Sequence, residues 1–172
     1  MLDPDLVLES VVLAFRAIPT VVDEMSGDPL RIVGHQYRYG TDDSIARTVF
    51  QRESPSIVVA YLDLLWGKFS GAEMWKHRLE VYLQPRNATT TPPNGAPPPA
   101  SAPHLWWMMM NLPVVGYAND TLNFRNLSLT HASFPTNGGL LPVESPSLMH
   151  RQDENLADLH VGALILGEWG DS

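Results

Sequence analysis

The sequence predicts an α+β fold, with N-terminal helices packed on a mainly antiparallel sheet. Three observations carry that prediction. Apolar residues recur at helical spacing near the start. Two later segments read as strands, one a β-branched run and the other a strict alternation. Helical and extended segments do not alternate regularly, which speaks against a doubly wound parallel sheet. The 172 residues suffice for one domain and not comfortably for two. Residues 1–172 are therefore read as a single domain, with a Pro-rich loop insertion over 84–103.

The first helix is marked by Asp3 as its cap, Pro4 at the first helical position and Asp5 at the positive end of the dipole. Leu8, Val11, Val12 and Phe15 repeat at helical spacing, and Val7, Leu13, Ala14 and Ile18 widen the stripe enough for contact on two sides. Pro19 closes or kinks this helix, and Thr20 to Met25 forms another turn before Gly27-Asp28-Pro29. Arg31 to Tyr39 reads as extended. Asp42, Asp43 and Ser44 start a short helix through Ile45, Val49 and Phe50, which Ser54-Pro55 ends.

Ser56 to Leu62 is a β-branched run, expected as a central strand buried on both faces. Trp75, His77, Leu79, Val81 and Leu83 alternate with Lys76, Arg78, Glu80 and Tyr82. A period of two predicts an antiparallel strand with one packed and one solvated face. Between these strands, Asp63 to Glu73 reads as a loop too long for a tight hairpin. It carries Leu64, Leu65, Trp66 and Phe69, which loops normally avoid, so it is expected to fold onto a neighbour.

Gln84 to Pro103 holds seven of the 15 prolines, a composition that favours polyproline II and extended loop. No Asp, Glu, Lys or Arg occurs from Asn87 to Ala118. One further short helix starts near Ser101 and runs through Leu105, Met108, Met109 and Leu112. Trp106, Trp107 and Met110 cover its other sides, so it is buried or sits at an interface. The Trp106-to-Met110 cluster reads as core, oligomer contact, apolar ligand pocket or carbohydrate platform. Leu127 and Leu129 mark a short strand, Asn137-Gly138-Gly139 a turn, and Leu159 to Leu166 the last strand.

Eleven Lys and Arg against 19 Asp and Glu give a net charge of -8, which argues against a general nucleic-acid binder. Zero cysteines exclude a disulfide scaffold, a thiol nucleophile and Cys-ligated metal. No secretory signal opens the chain, and its longest apolar run falls short of a membrane span. A soluble protein made in a cytosol is expected, with no membrane partner. There is no GxSxG, HExxH or phosphate-cradling Gly-rich loop. His150, Asp153, Glu154, Asp158 and His160 form the densest potential ligand set, yet Met149 to Asp158 reads as a solvated acidic connection into the last strand. A hydrolase or isomerase centred on His150, Asp153 and His160 is the enzymatic alternative. His77 reads as a hydrogen-bonded core histidine. No catalytic residue, cofactor or metal is expected.

Several stretches in order carry a resemblance: Ala17-Ile18-Pro19-Thr20-Val21-Val22, Gly27-Asp28-Pro29, Ser44-Ile45-Ala46-Arg47, Ser54 to Tyr61, Gly71 to His77 and the closing Gly167-Glu168-Trp169-Gly170-Asp171. Together they resemble the tail terminator (tail-completion) proteins of long-tailed bacteriophages and related phage-like particles. The resemblance implies a structural virion protein at the tail–neck junction, assembled in the host cytoplasm, and no enzyme. Such a subunit forms a ring with copies of itself, typically a hexamer, at the head-proximal end of the tail tube. It stops growth of the tail tube protein and joins the head connector or stopper protein, while DNA only passes through the lumen. Six copies would carry 6 × -8 = -48 charges; lumen-facing acids would repel phosphate over roughly 10 Å at ordinary salt. The residues expected at protein contacts are Leu65, Trp66, Phe69, Trp106, Trp107, Met109, Met110 and Trp169. The alternatives are a head-completion or stopper neck protein, and a ligand-binding β module using Trp106 and Trp107.

Overall fold

The computed structural model describes residues 1–36, 53–69, 71–86, 98–110, 129–144, 146–153 and 156–170, with side chains for all of these but 36, 69 and 151–159. Helix α1 spans Pro4–Arg16 and α2 Pro19–Glu24, and a 3-10 turn follows at Pro29–Arg31. Strand β1 is Ile32–Gln36, β2 Ser56–Phe69 and β3 Ala72–Gln84. Helix α3 is Ala102–Met110, and the chain continues through β4 (Gly139–Pro142), β5 (Ser147–Asp153) and β6 (Leu156–Trp169). The strands form one sheet in the order β1-β2-β3-β6-β4, with β5 also on β6. Among the described strands only β1 with β2 is parallel. β5 and β4 share one edge of β6, the first along its start and the second along its end. The fold is α+β, as the sequence predicts.

Local chemistry sets the N-terminal layer. Asp3 caps α1 by accepting from the Asp5 amide at 2.9 Å. In the last turn Arg16 donates to the carbonyls of Pro29 (3.1 Å) and Ile32 (2.7 Å), which fastens the end of α1 to the entry of β1. Arg31 does the same one element later, donating to the Glu53 and Pro55 carbonyls just before β2. The apolar stripe of α1 then meets one face of the sheet. Val7, Val11 and Phe15 are fully buried with Ile57, Val59, Leu79, Val81 and Leu164.

Helix α3 joins the same layer. Leu105 and Met109 are fully buried, and the six-membered ring of Trp106 lies against Gly162 of β6. A Cβ at position 162 would come within 2.2 Å of Trp106 Cζ3, so the indole occupies the space any side chain would need. Glu24, the last residue of α2, brings in the stems of the Pro-rich insertion. Its carboxylate accepts from Arg86 Nε (3.1 Å) and Nη2 (3.2 Å) and from the Ala100 amide (3.1 Å).

The structure departs from the sequence reading in four places. Asp63 to Glu73 is no loop: β2 and β3 run 14 and 13 residues and pair to Phe69↔Ala72. Leu64, Leu65 and Trp66 are good strand residues, and the turn is made possible by Gly71, whose φ of 85° is the left-handed conformation. Trp75 is half-buried rather than core. It lies beyond the stretch of β3 that pairs with β6 and packs edge-on against Trp66, with ring centroids 4.9 Å apart. The outer face of β3 is only partly solvated. Arg78 is exposed, but Tyr82 is buried with Val58, Ala60 and Val161 in a second cluster away from α1. Finally, the expected acidic connection is largely β5 and the start of β6, paired as a ribbon.

Leu129 makes an isolated bridge to Leu140, and Asn137 lies in a turn before β4. The helix expected after Asp42, together with Leu112 and Leu127, lies outside the described residues. Replacing Gly162 with Ala is expected to cost about 1–3 kcal/mol by overpacking. Urea denaturation checks this; an unchanged midpoint would show that Trp106 does not rest on the β6 backbone.

Candidate functional site

Two arrangements could carry function: a buried polar chain and a set of exposed aromatic side chains. The polar chain centres on His77, which stands opposite Leu64 of β2 and Leu166 of β6 in the middle of the sheet. Its Nδ1 lies 2.8 Å from the Tyr61 hydroxyl and its Nε2 2.7 Å from Glu168 Oε1. Glu168 also accepts the Leu2 amide, and its other oxygen is 3.7 Å from the Met1 amine. A carboxylate only accepts, so Nε2 carries the proton, Nδ1 accepts, and Tyr61 donates to it. This order satisfies both ring nitrogens.

The His77 side chain is fully buried. Burial lowers its pKa below the ordinary 6.5, against the pull of the Glu168 hydrogen bond and charge in the opposite direction. Burial also raises the Tyr61 pKa, aided by the negative charges of Asp63 and Glu168, so the phenol keeps the proton it donates. Neither ring nitrogen is left open to a substrate. His77 is the hydrogen-bonded core histidine that its place on the apolar face predicts.

The contact candidates separate into two groups. Leu65 and Trp66 are 44% and 54% exposed on β2, Trp107 is 59% exposed on α3, and Trp169 is 37% exposed at the end of β6. Trp107 stacks on His104, with ring centroids 5.5 Å apart and planes 12° from parallel. Trp106, Met109 and Met110 are buried in the chain's own core. The reason is rotational: α3 turns these three toward α2 and the sheet and leaves Trp107 on the opposite side. The same geometry separates Trp106 from Trp107, so the two do not form a shared platform. Phe69 closes β2, and its side chain lies outside the described residues.

Sequence reasoning missed other exposed apolar side chains, namely Leu13, Leu30, Leu141 and Met149. Leu13 was legible in the excess breadth of the first helical stripe. Isolated apolar residues such as Leu30 and Met149 leave no periodic signal.

Of the dispersed histidines, His150 and His160 are brought together as cross-strand partners of β5 and β6, with ring centroids 5.0 Å apart and planes tilted by 54°. The side chains of Asp153, Glu154 and Asp158 lie outside the described residues. Among the described residues no group of three or more His, Cys, Asp or Glu could hold a metal ion. No described helix is long and apolar enough to cross a membrane. Comparison with family models, with curated proteins and with solved structures returned no match.

The polar chain yields a pH dependence of defined sign. Between the lowered native pKa of His77 and 6.5, the unfolded chain binds a proton that the native state does not, so stability rises with pH. The contribution is complete above 6.5 and is lost as the pH falls toward the native value. Its limiting slope is about 1.4 kcal/mol per pH unit. His77→Gln should flatten the slope measured by urea denaturation between pH 5 and 7. Some slope remains from His35, whose pKa burial also lowers. An undiminished slope would place the linkage elsewhere.

Proposed function

We propose that this chain is a structural assembly protein of the tail terminator type, working through protein contacts rather than through bond-making chemistry. The observation that carries this reading is the β2–β3 ribbon. Its strands continue past the stretch of β3 that pairs with β6, and they hold Leu65 at the last β6-paired position and Trp66 just beyond it exposed on regular, hydrogen-bonded backbone. Large apolar side chains on a paired strand are held in a fixed direction, as a docking surface requires, and Trp is the residue type most often found at the energetic centres of interfaces. Trp107 on α3 and Trp169 at the end of β6 add exposed aromatic area on other elements.

An α+β subunit is also what the resemblance read from the sequence implies. In that reading a ring of copies, typically six, caps the tail tube and receives the head connector, and DNA passes through the lumen without being held. A net charge of -8 per chain suits passage rather than capture, because retention of DNA needs concentrated Lys and Arg.

The decisive experiment removes the chain from the particle that encodes it and images the products. Tubes of uncontrolled length and heads without tails are expected. Tubes of normal length joined to heads would refute the terminator role, and binding of the purified chain to capsid connectors instead of tail tubes would reassign it as a stopper. At the residue level, Trp66→Ser is expected to leave the fold cooperative, with a stability change within about 1 kcal/mol after loss of the Trp75 contact, and to weaken binding to tubes at least tenfold. Loss of cooperative unfolding would make the ribbon part of the core.

A further inference from the structure

We propose that the β5–β6 ribbon carries a binding site for a divalent transition-metal ion of the zinc class, formed by His150 and His160. The two residues are direct partners in the antiparallel register, so their side chains leave the ribbon on the same face. Their ring centroids lie 5.0 Å apart. A metal–nitrogen bond of about 2.0–2.1 Å puts each ring centre roughly 3.2 Å from the ion, and a tetrahedral angle between two such ligands separates the centres by about 5.2 Å. The observed spacing of the ring centres accommodates one shared ion.

Access favours an ion: His150 is exposed and His160 half-buried, so an ion can reach the pair from solvent. The net charge of -8 over the whole chain favours cations in general. Imidazole nitrogen selects zinc, nickel or copper over magnesium and calcium, which prefer oxygen. With two protein ligands the ion keeps water in its remaining positions, so the site is open and of modest affinity. It binds across the ribbon and ties β5 to β6. The proposal is independent of the assembly reading.

The test uses the full chain without a histidine tag, titrated with zinc chloride and followed by calorimetry and by thermal unfolding. One ion per chain and a raised unfolding midpoint are expected. His150→Ala should lower the affinity at least tenfold while the metal-free chain still unfolds cooperatively; His160→Gln should lower it similarly. Three results would overturn the proposal: no zinc binding by the parent chain, zinc binding unaffected by His150→Ala, or magnesium binding as tight as zinc, which would assign the ion to carboxylates.

Discussion

A buried imidazole that must be satisfied at both nitrogens is the constraint on which the centre of this structure turns. His77 sits inside the sheet where water cannot serve it, and an unpaired polar group there costs about 1–3 kcal/mol. Its two partners come from different strands, Tyr61 from β2 and Glu168 from β6. Glu168 reaches further, to the Leu2 amide just ahead of α1. One chain of hydrogen bonds therefore sets the register of three strands and anchors the start of the N-terminal helix. A slip of either neighbouring strand by one residue would turn its partner to the other face and leave the imidazole unmet.

Around that centre the sheet is two-faced in an uneven way. The face toward α1 and α3 holds the continuous core, and Gly162 lets Trp106 close it without a gap. The other face keeps a smaller cluster of Val58, Ala60, Tyr82 and Val161. Where the pairing with β6 ends, β2 and β3 continue together, and the burial fades into exposed Leu65 at that boundary and Trp66 beyond it. Greasy side chains in this protein thus have two destinations. Those over the sheet's middle hold the chain together, while those on the ribbon are held rigid with no core to fill.

Much of the fold was legible because it is written in local signals. The Asp3 cap and Pro4 start of α1 follow from side-chain chemistry within one turn, and the alternation from Trp75 to Leu83 fixes β3. The burial of His77 followed from its place in that alternation. What escaped was decided by distance. Leu64, Leu65 and Trp66 lack alternation of polarity, so nothing in them marks a strand until β3 supplies the opposite edge. Trp75 keeps the period of a core residue, yet it lies past the point where β6 and the helices reach. Trp106 and Trp107 are neighbours in sequence and opposites in space, because a helix that is apolar all round does not announce which side it buries. The meeting of His150 with His160 depended on a pairing across an acidic stretch that composition alone reads as loop.

Glu24 has a different kind of consequence. By gripping Arg86 and Ala100 together, its carboxylate closes the base of the intervening segment independently of what that segment contains. Closing a longer loop grows costlier only logarithmically, about 0.6 kcal/mol for each doubling. Arg86 and Ala100 are thus held at one point beside the end of α2, so the chain leaves the sheet and returns to α3 from a shared, charge-fixed base.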